Sequence, residues 1–532
     1  MKRILLSMAL AAAMAAPVSA QWVNDPAQCN IVSPAGSNNY GYDIQTNANG
    51  MTYVFMQIPH NETIEMRLQI LDKDGVKTLP EEGQLISAEA NQTWTKVNQH
   101  LLIDRDGNAV IAVFDFRKGN ETYTIYKYDE TGKELWSRTL GEGVDNESLA
   151  SMSMVNTTDG GYMLAYEAYS YDNAPTKIYV YKLKADGSLA WSEPLLLKDD
   201  SGVNDYTYPY LVDAGDGQAM MVYAKGSNQD LMARMIDISG DDVWDEDLIV
   251  YRGGFMPSLP LYTMMDVYSA PDGGAFVAWC DPDALTSTYE NRLSYIKNDA
   301  TYGFSTGEEG TNVSNQTEYS RMVPTVYYDK NEKAVYMVYR QFDQAAQNLQ
   351  GLFLQKMSLD GELLWGPNGK PVIDIQDSVN CSFCTIQGAK DGQIAVFYQT
   401  MAGNATNSPV GSYIALYDKE GNQVQAPVNF STSTAVKNNL LSSPLMDDQY
   451  YLVNWNENPS QNKENICMQR VYLDGSVSGI REIDGEHNAK TLLRQEIYAP
   501  SGERLQHLSE GVNIIRNVYT DNSTSTTKKI VK

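Results

Sequence analysis

The sequence is poor in cysteine, in histidine and in basic residues, and each shortage argues against a class of protein. Five cysteines among 532 residues are too few and too scattered for a disulfide framework, so the fold must depend on its core. Four histidines, without a His-x-x-x-His pair or a Gly-x-Ser-x-Gly motif, give little support for zinc chemistry or a histidine-based triad. The 40 basic side chains are outnumbered by 67 acidic ones, and the net charge of −27 would repel nucleic acid and anionic membranes.

Long apolar runs are also missing beyond the N-terminus. A basic start precedes a short apolar stretch, which small residues close at positions 18–20. This pattern predicts a signal peptide over residues 1–20, with cleavage between Ala20 and Gln21. After residue 20 no run approaches the roughly 18 apolar residues of a membrane-spanning helix, so we expect an exported, soluble chain without a transmembrane segment.

What the sequence does contain is a repeat. A turn dipeptide followed by a short apolar run rich in β-branched and aromatic residues recurs eight times, at intervals of 53 to 60 residues. The dipeptides are Asn49-Gly50, Asp106-Gly107, Asp159-Gly160, Asp216-Gly217, Asp272-Gly273, Asn331-Glu332, Asp391-Gly392 and Asp447-Asp448. A second turn follows each of them about 25 residues later, so one unit is strand, tight turn, strand, longer loop, strand, tight turn, strand.

Four antiparallel strands in a unit of this length are typical of a propeller blade. We therefore predict an all-β fold, an eight-bladed β-propeller over residues 21–483, followed by a small β-sandwich-like domain over residues 484–532. A tandem of β-sandwiches is the alternative, but it would need roughly 100 residues per unit. The alternating pattern of the runs excludes a helical solenoid.

A tryptophan follows the glycine of the second turn by four residues in four repeats. The pairs are Gly132 and Trp136, Gly187 and Trp191, Gly240 and Trp244, and Gly361 and Trp365. The stretch that ends at Trp136 resembles the tryptophan-docking repeats of pyrroloquinoline quinone-type eight-bladed propellers, and it is similar to blades of exported Bacteroidota proteins. The resemblance implies that the indoles pack between blades. It does not extend to an active site, and the absence of an adjacent Cys-Cys pair argues against a quinone, so no cofactor is expected.

The last residues resemble a type IX secretion sorting domain. The resemblance is carried by the turn at Gly502, a Gly-x-x-Ile-x-Arg strand that begins at Gly511 and includes Arg516, and a basic end with Lys528, Lys529 and Lys532. It implies that the type IX secretion machinery is a partner and that the protein is secreted or held at the cell surface. The alternative is a ninth β-element that caps the propeller.

Binding residues are expected where the longer connections gather, because the short turns all fall at the opposite end of the strands. The candidate ligand-binding residues are Arg117, Tyr169, Tyr171, Tyr206, Tyr208, Tyr319, Arg321 and Arg340. Tyrosines and charged groups on one rim could stack against a sugar or clasp a peptide. The pattern therefore favours a non-catalytic binding or adhesion protein for a glycan or protein ligand, with enzymatic activity left open.

Three further motifs bear on chemistry. Asp281 and Asp283 could supply a carboxylate to a glycan-active hydrolase, which is the alternative function. Cys381 and Cys384 have the spacing of a redox motif, but they fall in a predicted strand, where residues three apart point to opposite faces. The Asp/Gly turns lack the full calcium-loop pattern, so no metal is expected.

Overall fold

The computed structural model describes residues 22–34, 41–60, 63–90, 100–117, 120–141, 147–172, 174–253, 258–259, 262–263, 265–282, 288–402, 410–460, 463–477, 492–509, 511–519 and 524–531. The chain forms two compact units, Met1–Ser478 and Gly479–Lys532. The predicted signal peptide, its cleavage site at Ala20 and Gln21, and the predicted boundary between residues 483 and 484 lie outside the described residues. No helix in the described part is long and apolar enough to span a membrane.

The described part of the first unit contains eight four-stranded antiparallel sheets and a two-stranded ribbon. The chain begins with β1 (Asn30–Ile31), which belongs to sheet 8. Sheets 1 to 4 follow: β2 (Gly41–Thr46), β3 (Thr52–His60), β4 (Thr63–Leu71) and β5 (Gln84–Ala90); β6 (His100–Ile103), β7 (Ala109–Arg117), β8 (Asn120–Tyr128) and β9 (Glu134–Leu140); β10 (Glu147–Asn156), β11 (Tyr162–Ser170), β12 (Lys177–Leu183) and β13 (Leu195–Leu197); β14 (Tyr206–Gly215), β15 (Gln218–Lys225), β16 (Asp230–Ile236) and β17 (Leu248–Tyr251).

The ribbon and sheets 5 to 8 complete the unit. The ribbon is β18 (Ser258–Leu259) and β19 (Tyr262–Thr263). The sheets are β20 (Met265–Ser269), β21 (Ala275–Pro282), β22 (Tyr289–Ile296) and β23 (Thr311–Asn312); β24 (Tyr319–Asp329), β25 (Ala334–Asp343), β26 (Gln350–Ser358) and β27 (Lys370–Gln376); β28 (Cys381–Gly388), β29 (Ile394–Thr400), β30 (Gly411–Tyr417) and β31 (Gln423–Ser431); and β32 (Val436–Ser442), β33 (Tyr450–Ser460) and β34 (Lys463–Tyr472) with β1. Short 3-10 turns occur at Gly307–Glu309 and Lys390–Gly392.

Both surfaces of the sheets are buried, because each sheet packs between two neighbours. In β7, Val110, Ala112 and Phe114 pack against sheet 3, whereas Ile111 and Val113 pack against sheet 1. Successive side chains of a strand point to opposite faces, so an uninterrupted apolar run feeds two cores at once. This explains why the central strands are nearly continuous runs of apolar residues.

The ring of sheets is closed by the two ends of the unit. An apolar cluster joins sheet 8 to sheet 1, with Ile466 and Met468 on one side and Val54 and Met56 on the other. The N-terminal strand β1 pairs with β34, so it completes the last sheet. A closed ring of four-stranded antiparallel sheets is a β-propeller.

A disulfide reinforces this closure. Cys29, just before β1, is bonded to Cys467 on β34, across 438 residues of sequence. The expectation that the cysteines do not form a disulfide framework therefore missed one structural bond. Its position fixes the N-terminal segment to the last sheet.

The tryptophans dock between sheets, as their resemblance to tryptophan-docking repeats implies. The Trp136 indole lies against Gly187 of the next sheet, and its Nε1 donates a hydrogen bond to the carbonyl of Ala185 at 3.0 Å. Trp191 repeats this arrangement with Gly240 and the carbonyl of Ile238. Near the N-terminus, Trp22 does the same with Gly75 and the carbonyl of Lys73, so a residue outside the four recognised pairs docks across the closure.

We expect Gly187→Ala to destabilise the protein more than Gly202→Ala. Both glycines have a positive φ, of 78° and 72°, so alanine costs backbone energy of about 1 kcal/mol at each. Only at Gly187 would the new Cβ approach an indole, at 2.5 Å from Trp136, whereas it meets nothing within 4 Å at Gly202. Urea midpoints of the two variants measure the difference, and equal midpoints would show that the indole contact contributes nothing.

The second unit is a single four-stranded sheet in its described part. Its strands are β35 (Leu492–Tyr498), β36 (Arg504–Leu505), β37 (Gly511–Tyr519) and β38 (Thr524–Val531), in the order β36-β35-β37-β38. Gly502 has a φ of 85° in the turn before β36, and Gly511 begins β37. Arg516 lies 3.8 Å from Glu496 of β35, and Lys528 and Lys529 are exposed on β38. Lys532 lies outside the described residues.

Candidate functional site

The strand ends divide the first unit into two faces. The Asp/Gly turns join strands at one end, and longer connections such as residues 171–176, 198–205 and 344–349 join them at the other. We call the second end the connection face. The first strands of successive sheets contact one another, so β10, β14, β20, β24 and β28 lie side by side along the ring.

Several of these first strands are bulged near the connection face. The register shifts between Ala150 and Met152 in β10, between Thr207 and Tyr210 in β14, and between Met322 and Thr325 in β24. Each bulge contains a residue in the left-handed region: Ser151 has a φ of 32°, Tyr208 of 53° and Val323 of 58°. A bulge re-aims side chains, and strained residues of this kind are concentrated at functional sites.

A buried glutamate links two of the bulges. Glu167 lies near the end of β11 and is 0 % exposed. The Tyr208 backbone N–H donates to its Oε2 at 2.8 Å, and the Tyr169 hydroxyl donates to its Oε1 at 2.5 Å. Tyr169 is 39 % exposed. The glutamate is therefore buried, while its tyrosine partner reaches the surface.

The pKa values of both Glu167 and Tyr169 are raised. Burial raises the pKa of Glu167, although hydrogen bonds from Tyr169, Tyr208 and Ser151 oppose the shift. Burial, followed by the charge of Glu167, raises the pKa of Tyr169 well above that of an ordinary tyrosine. The hydroxyl therefore keeps its proton at neutral pH, and Glu167 is a stronger base than an exposed glutamate. Perturbed groups of this kind are enriched at functional sites.

Other predicted ligand-binding tyrosines lie in the same region. Tyr206 begins β14, stacks on Tyr223 with centroids 5.7 Å apart, and carries the Lys225 ammonium 5.4 Å from its ring centre. Tyr171 follows β11 and is 66 % exposed. The structure therefore brings Tyr169, Tyr206 and Tyr208 together at the junction of sheets 3 and 4.

A cleft of about 340 Å³ opens among sheets 5, 6 and 7. Two aromatic residues, one methionine, one arginine and four amide side chains line it: Tyr289, Met322, Arg340, Phe342, Gln344, Gln347, Gln350 and Asn380. Most of these residues sit at the strand ends and in the connections of sheets 5 to 7. An aromatic and amide lining is suited to a ligand with many hydroxyl groups.

A chain of hydrogen bonds positions Arg340 in this cleft. Its Nε donates to Gln350 Oε1 at 3.1 Å, and Gln350 Nε2 donates to Asn380 Oδ1 at 2.7 Å. The guanidinium also lies 5.8 Å from the ring centre of Phe342. Arg340, predicted as a ligand-binding residue, is thus the cation of the cleft.

The two cysteines beside the cleft point in a direction that the sequence did not predict. Cys381 and Cys384 were expected to face opposite sides of their strand, but a register shift in β28 between them places both side chains in the same apolar cluster. Both thiols are free, and burial raises the pKa of each to about 12. They are therefore protonated at neutral pH and do not neutralise the nearby Arg340.

Arg321 departs from its predicted place on the rim. It is 0 % exposed in β24, where its Nε donates to Gln341 Oε1 at 3.0 Å and its Nη2 donates to Ser314 Oγ at 3.1 Å. Its place at the entry of β24 predicted a residue on the rim, but these contacts hold the side chain in the interior. Tyr319 begins the same strand and is half-buried opposite Asp343.

Asp281 is a structural residue rather than a cleft carboxylate. It is 6 % exposed, accepts a hydrogen bond from the Tyr251 hydroxyl at 2.6 Å, and is ion-paired with Arg292 at 2.8 Å. These contacts hold Asp281 within its sheet, and it is not among the residues that line the cleft described above. Asp283 and the Arg117 side chain lie outside the described residues.

Two remaining features are explained by the fold. The group of Cys29, Glu457 and Cys467 resembles a metal site within the described residues, but its two cysteines form the disulfide. A crevice of about 690 Å³ is lined by Asp159, Trp191 and Gly240, and it results from the docking of the indole on the next sheet.

Comparison with known proteins gives structures but no sequence family. No protein-family model and no curated protein matches the chain. Among solved structures, an ulvan lyase of polysaccharide lyase family 25 bound to -[GlcA(1-4)Rha3S]- has a TM-score of 0.40 and 13 % identity, covering 76 % of this chain and 96 % of that one. An α-L-arabinofuranosidase from Fusarium graminearum with an iminosugar inhibitor has a TM-score of 0.36 and 12 % identity, covering 71 % and 93 %.

A third similar structure is an α-L-arabinanase from Penicillium chrysogenum complexed with arabinobiose, with a TM-score of 0.33 and 12 % identity, covering 70 % of this chain and 92 % of that one. All three proteins are named as enzymes that act on glycans. These printed names agree with the alternative, a glycan-active hydrolase, and not with the expectation of a non-catalytic binding or adhesion protein.

Proposed function

We propose that the protein is a glycan-cleaving enzyme whose substrate lies on the connection face. The observation that carries the proposal is the hydrogen bond between the Tyr169 hydroxyl and the buried carboxylate of Glu167. It places a proton-transfer pair on β11 beside the strained bulges of β10 and β14, with one member hidden and the other at the surface. The Arg340 cleft, on the same face, supplies binding groups for sugar hydroxyls.

The pair can move a proton without any other group. As the tyrosine oxygen attacks the anomeric carbon, the bond from that carbon to the glycosidic oxygen breaks, the tyrosine proton passes to Glu167 Oε1, and the departing oxygen takes a proton from solvent. Water then hydrolyses the tyrosyl-sugar bond and restores the hydroxyl. In an elimination the tyrosine oxygen takes a ring C–H proton instead, passes its own proton to Glu167, and the glycosidic C–O bond on the neighbouring carbon breaks, again with a solvent proton for the departing oxygen. Burial raises the pKa of Glu167 and so makes it a better acceptor for that proton. The Tyr208 N–H stabilises the other carboxylate oxygen and keeps the acid in place. Tyrosine nucleophiles are used by some glycosidases in place of a carboxylate.

The test is a panel of purified polysaccharides incubated with the mature full-length protein. We expect shortening of at least one polymer, with a saturated reducing end if the bond is hydrolysed or an unsaturated, ultraviolet-absorbing sugar if it is eliminated. Retention of glycans without any shortening would contradict the proposal.

The finer description of the fold belongs to the same proposal. Each of the eight sheets would be one blade of an eight-bladed propeller, and residues 484–532 would be a separate sorting domain. The even spacing of the repeat supports the eight blades. The motif around Gly502, Gly511 and Arg516 supports the sorting domain. An exported enzyme of this kind would meet polysaccharides outside the cell.

We expect deletion of residues 484–532 to abolish export through the type IX secretion machinery without unfolding the propeller. The sorting signal would be lost, while the ring of sheets closes through residues of the first unit itself, such as Val54, Met56, Ile466 and Met468. Fractionation of cells that express the full and shortened chains measures export. Normal release of the shortened chain would contradict the assignment and leave the tail as a structural element.

A further inference from the structure

The charge around the Arg340 cleft distinguishes between classes of substrate. We infer that the cleft binds an anionic group of the glycan, a uronate carboxylate or a sulfate ester, through the guanidinium of Arg340. The glycan part of this inference rests on the proposed function, whereas the anionic part rests on the cleft itself. The protein as a whole is strongly acidic, with a net charge of −27. An anion would therefore bind only where nearby groups make the potential locally positive.

The first source of positive potential is the Arg340 guanidinium, whose terminal N–H groups are available to a ligand. Its Nε donates to Gln350, but among the described residues no acceptor is bonded to Nη1 or Nη2 and no carboxylate lies within ion-pair distance. Arg340 is the one charged side chain in the described lining of the cleft. A planar guanidinium with two free donors matches a carboxylate or a sulfate in a bidentate pair.

The second source of positive potential is the buried guanidinium of Arg321. Arg321 and Arg340 lie one step apart in the pairing of β24 with β25, where Arg321 is opposite Gln341 and Met322 is opposite Arg340, so the two side chains leave opposite faces of the same part of the sheet. The Nη1 of Arg321 has no hydrogen-bond partner, and no carboxylate in the described part forms an ion pair with it. A buried charge without a counterion is costly, and it raises the positive potential of its surroundings because the interior screens poorly.

Acidic groups are present nearby but are occupied or distant from the cleft. Glu290 forms an ion pair with Arg292 at 2.9 Å, and Glu318 is exposed. Asp343 accepts hydrogen bonds from the backbone N–H groups of Ala345 and Ala346 in the adjacent connection. None of these carboxylates neutralises Arg340.

The remaining lining favours a sugar as the carrier of the anion. Tyr289 and Phe342 offer aromatic surface, and Gln344 and Gln347 offer amide groups that can both donate and accept hydrogen bonds. A densely charged polymer such as nucleic acid would be repelled by the acidic surface, whereas a glycan with spaced charges would be tolerated.

The experiment measures binding by calorimetry, with three oligosaccharides of matched length: an oligogalacturonate, a sulfated dextran fragment and an unmodified dextran fragment. The mature protein is compared with Arg340→Gln, Arg340→Lys and Lys198→Gln. The last is the control, because it removes one positive charge from an exposed residue of a connection. The thermal midpoint of each variant shows that it is folded.

We expect the uronate or the sulfated probe to bind at least about tenfold more tightly than the neutral one, and we expect Arg340→Gln to remove that preference. Arg340→Lys should retain part of it, Lys198→Gln should retain all of it, and added salt should weaken it. Equal binding of the neutral probe, an unchanged Arg340→Gln variant, or no binding of any probe would overturn the inference.

The outcomes separate this inference from the proposed function. If an anionic probe binds through Arg340 and no polymer is shortened, the enzyme proposal fails and the anion site stands. If a neutral polymer is shortened and neither anionic probe binds, the anion site fails and the enzyme proposal stands.

Discussion

Replacing Tyr169 by phenylalanine is expected to reduce the rate of glycan cleavage by about 100-fold or more, without a comparable change in KM. The substitution removes the hydroxyl that carries the transferred proton, and proton transfer of this kind contributes about 10²- to 10⁴-fold to a rate. The exposed ring remains, so binding by stacking is retained. The measurement is the initial rate of product release on whichever polysaccharide of the panel is cleaved.

The matched control is Tyr498→Phe. Tyr498 also donates a hydrogen bond to the glutamate two positions earlier, Glu496, at 3.0 Å, but it lies in the second unit. It should leave the rate unchanged. Equal rates for wild type and Tyr169→Phe would remove Tyr169 from the mechanism.

Glu167→Gln should lose as much activity as Tyr169→Phe, and the double variant should lose little more. The two residues act as one unit, so their effects are not additive. The amide can still accept the N–H of Tyr208, so the bulge is preserved. Because the pKa of Glu167 is raised, wild-type activity should fall on acidification at a higher pH than for an ordinary glutamate.

The second large effect concerns stability. We expect Cys29→Ala with Cys467→Ala to lower the free energy of unfolding by about 2–5 kcal/mol, because the disulfide restricts the unfolded chain across a very long loop. Denaturation curves with and without a reducing agent measure this. The reducing agent should weaken wild type to the level of the variant and leave the variant unchanged.

Thiol titration of the unreduced, denatured protein provides an independent check. Three reactive thiols are expected, from Cys280, Cys381 and Cys384. Five reactive thiols would show that the bond between Cys29 and Cys467 does not form.

The repeat made the fold predictable, because its turns leave a strong local signal. An Asp-Gly turn needs a residue with positive φ, so each glycine marks a strand boundary regardless of the tertiary structure. The uninterrupted apolar runs that follow these turns then require a sheet buried on both sides, as β7 shows. The indole of Trp136 could also be assigned, because its spacing from the turn glycine is fixed.

The site was less predictable, because bulges break the alternation from which side-chain direction is inferred. The bulge of β28 brings Cys381 and Cys384 to one side, and Arg321 is buried although it lies near the start of β24. Glu167 gives no signal in the sequence, since a carboxylate within a strand is usually exposed to solvent. The bond of Cys29 to Cys467 joins residues from opposite ends of the ring, and no local pattern relates them.

The most direct test is a crystal structure of the Tyr169→Phe variant with an oligosaccharide from the polymer that wild type cleaves. We expect sugar rings on the connection face, with a glycosidic bond beside the ring of residue 169 and the edge of Glu167 behind it. An oligosaccharide bound at the opposite face, in the crevice lined by Trp191, would contradict the assignment of Tyr169 and Glu167 and place the chemistry elsewhere.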